Sequence, residues 1–470
     1  DLATLLKSLP PNVIQKIELI RTPSAKYDAS GGGGVVNIVL MKGIKLGMNG
    51  SVNSGFGQGL YGNQYIGFNL SNNNEKLNSY VNAQYSNNNG YTITNSDRTL
   101  SLDTLLKQNA RTLSPSTAIN IGYGFGKNIK DKWDLNYDGR MSQNKYNNNT
   151  FNASFVNVVS SNQHINELIS FVENKGDNHF INQSIRAKLK LDTVGGEWIN
   201  DMSFNYSKSN TNQVYTNTLV SNSNLVSGNG NYGTDRSYFT FQSDIKKKII
   251  GLNWETGLKT STLNFDNSAR YTKTIANVVN ADPFRTNSFH YTELINAVYL
   301  QGSKTWGAIV LKAGTRFEQT VMQGHQLVPK DTTFSVNRTD AFPYVYLSRR
   351  VAKIMDYEVR GFLVYRKTIS RPSYDYLNPF AKYIDPFLYE VGNPNLKPEV
   401  ATGLDVAVER YLPQGGVLSA SAFHRRVQNL IRNVTRPDGS GYLSRPENIS
   451  EAVTEGIELE AKFRLDQWID

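Results

Sequence analysis

Cysteine is absent from the 470 residues. That removes disulfide frameworks, thiolate zinc sites, iron–sulfur clusters and cysteine nucleophiles together. Long apolar runs are absent as well, and nothing approaches the roughly 18 consecutive apolar residues of a transmembrane helix. A membrane is not thereby excluded, because a spanning β-strand needs only about 9–11 alternating residues and gives a weak hydropathy signal. Charge is sparse, at 19% of residues against roughly 25% in soluble proteins. Methionine is scarce (6) beside tyrosine (26) and phenylalanine (21), a bias toward strand formers. No basic and apolar leader precedes Asp1, so a processed leader or a piece of a longer chain is expected.

What is present is alternation. Trp133, Leu135, Tyr137 and Met141 point one way while Asp134, Asn136, Asp138, Arg140 and Ser142 point the other. Ile119, Ile121, Tyr123 and Phe125 oppose Asn120, Gly122 and Gly124, and Met202, Phe204 and Tyr206 oppose Asp201, Ser203 and Asn205. Near the end, Ile457, Leu459, Ala461 and Phe463 oppose Glu458, Glu460, Lys462 and Arg464. A soluble β-sandwich alternates in the same way. However, the segments read as strands of about 12–15 residues, longer than globular strands, and roughly sixteen of them exceed one sandwich core.

The connections alternate too. Short turns are expected near Asn72–Lys76, Asn128–Asp131, Asp192–Gly196, Lys304–Gly307, Val351–Met355 and Leu412–Gly415. Long polar loops are expected near Tyr91–Ser114, Asn147–Asp177, Gln213–Thr234, Asp266–Ser288, Ser370–Pro398 and Val434–Ala452. Putting every long connection at one end is the habit of an outer-membrane barrel, with its polar face to a lumen and its apolar face to lipid. Trp133, Trp198, Trp254, Trp306 and Tyr411 at strand ends fit an interfacial aromatic belt. The fold class read from this pattern is all-β, a transmembrane antiparallel up-and-down β-barrel over residues 44–470.

Residues 1–43 differ. Asp1 can cap a short helix over Leu2–Ser8 that stops at Pro10–Pro11. Val13–Ile20 and Val35–Leu40 read as strands flanking Pro23, Tyr27 and the run Gly31–Gly34. Such a fragment is too small to stand alone and must pack on the barrel. The stretch from Ile17 to Lys42 resembles the end of the plug domain of TonB-dependent outer-membrane receptors. The match falls on Arg21, Pro23, Ser24, Tyr27, Gly33, Gly34, Val36, Asn37, Ile38 and Lys42. Thr22, Ser24 directly after Pro23, and Asp28 depart from the usual plug pattern and suit the subfamily called outer-membrane β-barrel proteins. Gly392-Asn-Pro-Asn-Leu-Lys-Pro-Glu399 and Ser370-Arg-Pro-Ser-Tyr-Asp-Tyr-Leu-Asn-Pro379 resemble loop-to-strand entries of the same receptors.

The resemblance implies the C-terminal part of a plug domain over 1–43 and a barrel of about 22 strands, of which roughly sixteen fall in 44–470. The remaining plug, a TonB-contacting segment and the terminal strands are expected elsewhere in a longer receptor. It also implies a Gram-negative outer-membrane receptor that binds an unknown ligand at the cell surface and imports it with energy delivered through TonB. Lipid and lipopolysaccharide are the expected surroundings, with a surface lipoprotein as a further expected type of partner. Arg21 to Asn37 would brace the plug on the wall, facing lumen residues such as Arg140, Glu358, Arg360, Glu458 and Lys462. The alternative is a non-transporting barrel serving as adhesin or structural surface protein.

Catalytic chemistry finds no foothold. The five histidines are scattered, with no His-x-x-x-His pair, so no metal site is expected. Gly228-Asn-Gly-Asn-Tyr-Gly233 has dinucleotide spacing but leads into a strand, and Gly122-Tyr-Gly-Phe-Gly-Lys127 lies on one, so neither offers a helix N-terminus to phosphate. No Gly-x-Ser-x-Gly elbow occurs. Neither enzyme activity nor a cofactor is expected. Lys246–Lys248 and Arg349–Arg350 are the notable basic clusters behind the net charge of +10. Both read as rim anchors at strand ends rather than as a nucleic-acid surface. For ligand contact the expectation falls on Arg371, Tyr374, Tyr376, Phe380 and Tyr383, gathered in one outer loop where aromatics can stack and Arg371 can hydrogen-bond.

Overall fold

The computed structural model describes residues 14–20, 23–30, 34–40 and 47–462, with omissions at 75–76, 102, 162, 223, 329, 356, 380, 386–387, 413–415 and 440. The helix expected at Leu2–Ser8, together with Arg21, Gly33 and Phe380, lies outside the described residues. Strands β1 (Ile14–Ile20) and β2 (Val35–Leu40) pair antiparallel as a sheet of their own. Asn37 bridges them by donating its side-chain amide to Glu18 Oε2 at 2.8 Å. Gly34 enters β2 at φ +101°, a conformation that costs glycine little.

The remaining strands are β3 (Gly47–Gln58), β4 (Gly62–Asn73), β5 (Leu77–Ser101), β6 (Thr104–Ile129), β7 (Trp133–Val158), β8 (His164–Lys190) and β9 (Glu197–Leu219). They continue with β10 (Asn224–Ile249), β11 (Leu252–Ile275), β12 (Val278–Ala281), β13 (Asn287–Trp306), β14 (Ile309–Val328), β15 (Thr332–Ile354) and β16 (Tyr357–Ser370). The short helix α1 (Tyr374–Leu377) precedes β17 (Ala381–Asp385), β18 (Leu388–Val391), β19 (Glu399–Tyr411), β20 (Val417–Asp438) and β21 (Gly441–Lys462). Among the described residues, and setting aside β12, β17 and β18, sixteen long strands form the large sheet, each antiparallel to its neighbour in sequence. This agrees with the count expected from the alternation.

The strand order runs round as a barrel, with a seam where β3 meets β21. Across the other junctions of long strands the ladder is registered residue by residue. At the seam, the described residues carry no such register. At the outer end, Tyr442 Oη on β21 reaches across to Thr99 O on β5 at 2.9 Å. Lower down, Phe56 on β3 and Leu459 on β21 are more than two-thirds exposed.

The registers fix two faces. Ile121 pairs with Met141, which pairs with Ile181, and Met202 pairs with Phe241, so these side chains share one face. It is the face on which exposed large apolar residues gather, among them Phe125, Phe204, Leu258, Val298 and Phe317. In an outer-membrane barrel this face meets lipid. Asn120, Arg140, Asn182, Asn205 and Asp244 lie on the opposite, inner face, with Glu318.

Two expectations change. Strands β5 to β11 run 23–27 residues rather than 12–15. Only about 9–11 residues are needed to span the membrane. The surplus projects as paired hairpins, so Tyr91–Ser114, Asn147–Asp177, Gln213–Thr234 and Val434–Ala452 are mostly ladder rather than loop. Beyond lipid both faces of a hairpin meet water. The apolar contrast therefore fades while the backbone hydrogen bonds persist. Tyr411 is the second change. Its hydroxyl bonds Glu409 Oε2 at 3.3 Å on the inner face, so it does not join Trp133, Trp198 and Trp254 on the outer one.

The short turns fall where expected and are built for tightness. Lys130 and Asp131 both adopt φ near +50°, and Asn128 Oδ1 accepts Asp131 N at 2.9 Å. Asp192 Oδ1 accepts the backbone N–H of Val194 and Gly196, at 3.0 and 2.7 Å. These are the φ > 0 turns that match the twist of two-residue hairpins, and the side-chain-closed turns that Asp and Asn favour.

Candidate functional site

Period two places Asp244 of β10, Lys259 of β11, Tyr299 and Gln301 of β13, and Arg316, Glu318 and Thr320 of β14 on the inner face, side by side. Residues 23–30 lie against this patch. Ala25 N donates to Gln301 Oε1 at 3.3 Å, and Ala29 N donates to Glu318 Oε1 at 3.2 Å. Lys26 Nζ stands 3.5 Å from Asp244. Asp28 reaches Lys259 at 2.5 Å and Arg316 at 2.9 Å. Ala25 packs among Tyr299, Tyr344 and Val364, and Ala29 among Phe342 and Ile369. A methyl group at 25 and 29 lets the backbone come close enough to hydrogen-bond the wall.

The charges at the centre are buried. Arg316 is 2% exposed and Glu318 1%. Arg316 Nε donates to Glu318 Oε1 and its Nη2 to Asp28, while Nη1 finds no partner among the described residues. Two charges taken out of water must be offset by close pairing and by hydrogen bonds to the remaining lone pairs. Glu318 meets that condition with a second cation, because Arg371 Nη2 donates to Oε2 at 2.6 Å. Arg371 also donates to Thr320 Oγ1, from Nε at 3.1 Å and from Nη2 at 2.8 Å.

Outward along the same wall the lining turns apolar. Leu263, Phe265, Phe289, Tyr291 and Met322 are covered by Leu377 of α1 and by Leu396, with Ile431 beside them. Tyr374 lays its ring 3.9 Å from that of Phe265, centroid to centroid. The segment between β16 and β19 thus folds inward over the wall. The Asn-Pro-Asn-Leu-Lys-Pro-Glu stretch fastens it. Asn393 Nδ2 donates to Pro446 O at 3.2 Å, and Asn448 bonds both N and O of Lys397 at 2.8 Å. Asn429, at φ +56°, donates its side-chain amide to Pro398 O at 3.4 Å, and Glu399 Oε1 accepts Ile431 N at 2.8 Å.

Of the residues singled out by sequence, Pro23 is buried against the wall and Ser24 closes a turn by accepting Tyr27 N at 3.0 Å. Asn37 and Gly34 serve the β1–β2 pair rather than the wall. Arg371 and Tyr374 are engaged within the protein, Tyr376 is exposed, and Tyr383 is on β17. Lumen residues expected to face the plug sit elsewhere: Arg140 pairs with Asp138, and Glu358 with Arg350 and Arg360. The partnership of Asp28 with Lys259 and Arg316, and the parts of Glu318 and Gln301, were not foreseen. Alternation puts the four wall residues on the polar face with many others, and no local signal says which of those meet residues 23–30.

The inner face of β5 to β9 is different in kind. Asn120, Asn136, Asn182, Ser184, Asn205 and Ser203 line it with small neutral amides and hydroxyls. Asn182 donates to Asn205 Oδ1 at 2.6 Å. A recess of about 440 Å³ opens there, bordered by Asn136, Asp138, Arg186, Asp201, Gln242 and Lys259. No group of three or more metal-ligating side chains occurs among the described residues.

Comparison with known proteins follows the same lines. In solved structures, a variant of the ferric enterobactin receptor PfeA from Pseudomonas aeruginosa superposes over 97% of this chain and 65% of its own, with a TM-score of 0.60 and 16% identity. A double mutant of the Serratia marcescens hemophore receptor HasR, in complex with its hemophore HasA and heme, matches 96% of this chain and 67% of its own, with a TM-score of 0.57 and 11% identity. At such identities the likeness is one of fold, and this chain spans about two-thirds of those receptors. In sequence, the vitamin B12 transporter BtuB of Vibrio vulnificus (strain YJ016) is 40% identical over 72 residues, 15% of this chain and 11% of BtuB. Each of these proteins is a receptor or transporter and none is an enzyme. The profile of the outer membrane protein beta-barrel family matches residues 189–470, more than half of the chain, which therefore belongs to that family and to the Gram-negative outer membrane.

Proposed function

We propose that this chain is part of a TonB-dependent receptor that binds a ligand at the cell surface and carries it into the periplasm. The observation that carries the reading is the docking of residues 23–30 on the inner wall, where the exposed Asp28 reaches the buried Arg316–Glu318 pair. A segment held inside a barrel by charges, rather than by a large apolar surface, is fixed in place yet can exchange its partners for water or ligand. In this reading residues 1–43 are the end of a plug, and 44–470 belong to the barrel that it closes. The outer membrane stores neither an ion gradient nor nucleotide, so energy must come from the inner membrane by a mechanical link, which is the role of TonB. Ligand binding would act as a population shift, which requires different affinities for two arrangements of the plug.

In the outer segment Ser370–Pro398, the proposed ligand contact moves from Arg371 and Tyr374, which hold the segment down, to the exposed Tyr376. The test is uptake of labelled ferric chelates, corrinoids, oligosaccharides and peptides by cells expressing the full-length protein, with and without functional TonB. Uptake lost with TonB is the expected outcome and identifies the ligand class. Surface binding without TonB-dependent uptake of any of them would instead establish a non-transporting surface barrel.

A further inference from the structure

Three separate parts of the chain converge on one carboxylate. Glu318 Oε1 accepts from Arg316 Nε, its neighbour on β14, and from Ala29 N in the lumen segment. Glu318 Oε2 accepts from Arg371 Nη2, one residue past β16 at the root of the outer segment. Ile369 N donates to Ala29 O at 3.0 Å, so the same two segments also touch directly through their backbones. Among the described residues, Arg371 makes no hydrogen bond to residues 23–30, yet it neutralises the group on which they depend.

The geometry points to Glu318 as a coupling residue that makes docking of the outer segment and docking of the lumen segment mutually stabilising. Glu318 is 1% exposed, so with both segments docked its charge is offset by these partners rather than by water. With Arg371 withdrawn, Glu318 must draw more fully on Arg316, the cation it shares with Asp28, and Asp28 is left to lean on Lys259. The lumen segment then loses part of what holds Asp28 and Ala29. The converse also holds. When residues 23–30 leave, Arg316 loses Asp28 and turns more fully to Glu318, weakening the hold on Arg371. Coupling between two docking equilibria is reciprocal by thermodynamic necessity. Lifting the apolar cover formed by Leu377 and Leu396 from outside would thus loosen residues 23–30 inside, without contact between a ligand and those residues. Its meaning for transport rests on reading residues 23–30 as the end of a plug. The coupling itself does not.

The absence of cysteine makes the test direct, since an introduced thiol is the sole one among these 470 residues. Ala25→Cys places a thiol in the lumen segment, at a position 6% exposed, and Met322→Cys places one beneath the outer segment, at a position 4% exposed. Each is introduced into the full-length protein assembled in outer membranes, and its rate of modification by a small maleimide is followed without ligand and without TonB. Arg371→Ala is expected to speed modification at position 25 by about 5- to 150-fold, the range of ordinary allosteric coupling. Asp28→Asn is expected to speed modification at position 322, and the double variant to fall short of the product of the two effects. Lys208→Ala is the control, because Lys208 on β9 pairs with Asp235 on β10, outside this network. It should move neither rate.

Arg371→Ala acting at position 322 alone would overturn the inference. So would a control variant that moves both rates equally, since that is general loosening. Should Arg371→Ala fail to assemble, Arg371→Lys keeps the charge and loses the forked reach to Glu318 and Thr320, and an effect at position 25 is again required. Uptake assays with these variants report separately on transport, so failure of the coupling and failure of the transport reading give different results.

Discussion

The two halves of the wall solve the inner face differently. From β10 to β16 the inner face is packed, with buried ions below and an apolar cluster above, because two other parts of the chain lie on it. From β5 to β9 it is lined by Asn, Ser and Gly, with a recess rather than a core. The order of that second region lies instead between strands and on the lipid side. Tyr123 and Tyr137 both bond Gln183 Oε1, and the ring of Tyr123 passes over Gly139. A polar side chain on the lipid face is costly unless satisfied, and the two phenols satisfy this one. The lesson is that one repeating strand pattern can carry either a filled or an empty inner face. Which of them results depends on what the rest of the chain brings to it.

The largest effect expected from breaking this contrast is at Arg316. Arg316→Ala leaves Glu318 and Asp28 without their shared cation, and loss of one partner from a buried pair costs about 3–5 kcal/mol. Asn182→Ala on the other wall removes one hydrogen bond beside an open recess, for about 1 kcal/mol or less. Urea unfolding of the assembled protein, followed by tryptophan fluorescence, measures both, and equal losses would erase the distinction drawn here.

The two faces of the second region can be tested next. Ile121→Arg puts a charge into lipid, at about 2–4 kcal/mol near the midplane. Asn120→Arg, one residue away, points into the lumen and should cost little. Equal assembly of both variants into outer membranes would contradict the register of β6 with β7. A smaller loss is expected at Gly139, where an added Cβ would lie 2.5 Å from the Tyr123 ring. Gly139→Ala should cost about 1–3 kcal/mol as an overpacked site, relieved when combined with Tyr123→Ala. A double-mutant cycle on unfolding reads that relief directly.

The smallest effect is at the outer tips, where Ser160 donates to Asp103 from both its hydroxyl and its backbone, the latter at 2.7 Å. Those bonds hold the Asp103 carboxyl below its ordinary value, with the hydroxyl the larger cause. A carboxylate with a lowered folded pKa contributes its stability above the unfolded value, about 3.9. The contribution fades as pH falls from there through the folded value. The protection of the Val159 and Ser160 amides against exchange, corrected for the intrinsic pH dependence of the exchange rate, should therefore be unchanged from pH 7 to 5 and fall below about 4. Ser160→Ala should weaken that pH dependence, because only the backbone bond to Asp103 remains.

Much of this was legible in the residues. The faces of β6, β7 and β9, the sixteen strands, and the tight turns at Asn128 and Asp192 follow from alternation and turn chemistry, both of which act between near neighbours. Local pattern misplaced the strand ends, because a hairpin in water keeps its backbone pairing after its apolar contrast is gone. It also singled out Arg371 and Tyr374 by residue type alone. Residue type says that they can bond and stack, but not that Glu318 and Phe265 are already there to receive them.

Sequence by itself thus determined the period, the two faces, the ends of the turns and the membrane destination, since each depends on interactions within a few residues. Only the tertiary structure decided which of many inner-face charges become buried. Asp28 and Arg316 are 288 positions apart in the chain, and no short-range preference reaches that far. Their meeting is fixed by strand register accumulated around the sheet and by two alanines small enough to let the backbone approach. Arg316, Glu318 and Arg371 are ordinary polar residues of a barrel wall until that approach removes the water around them.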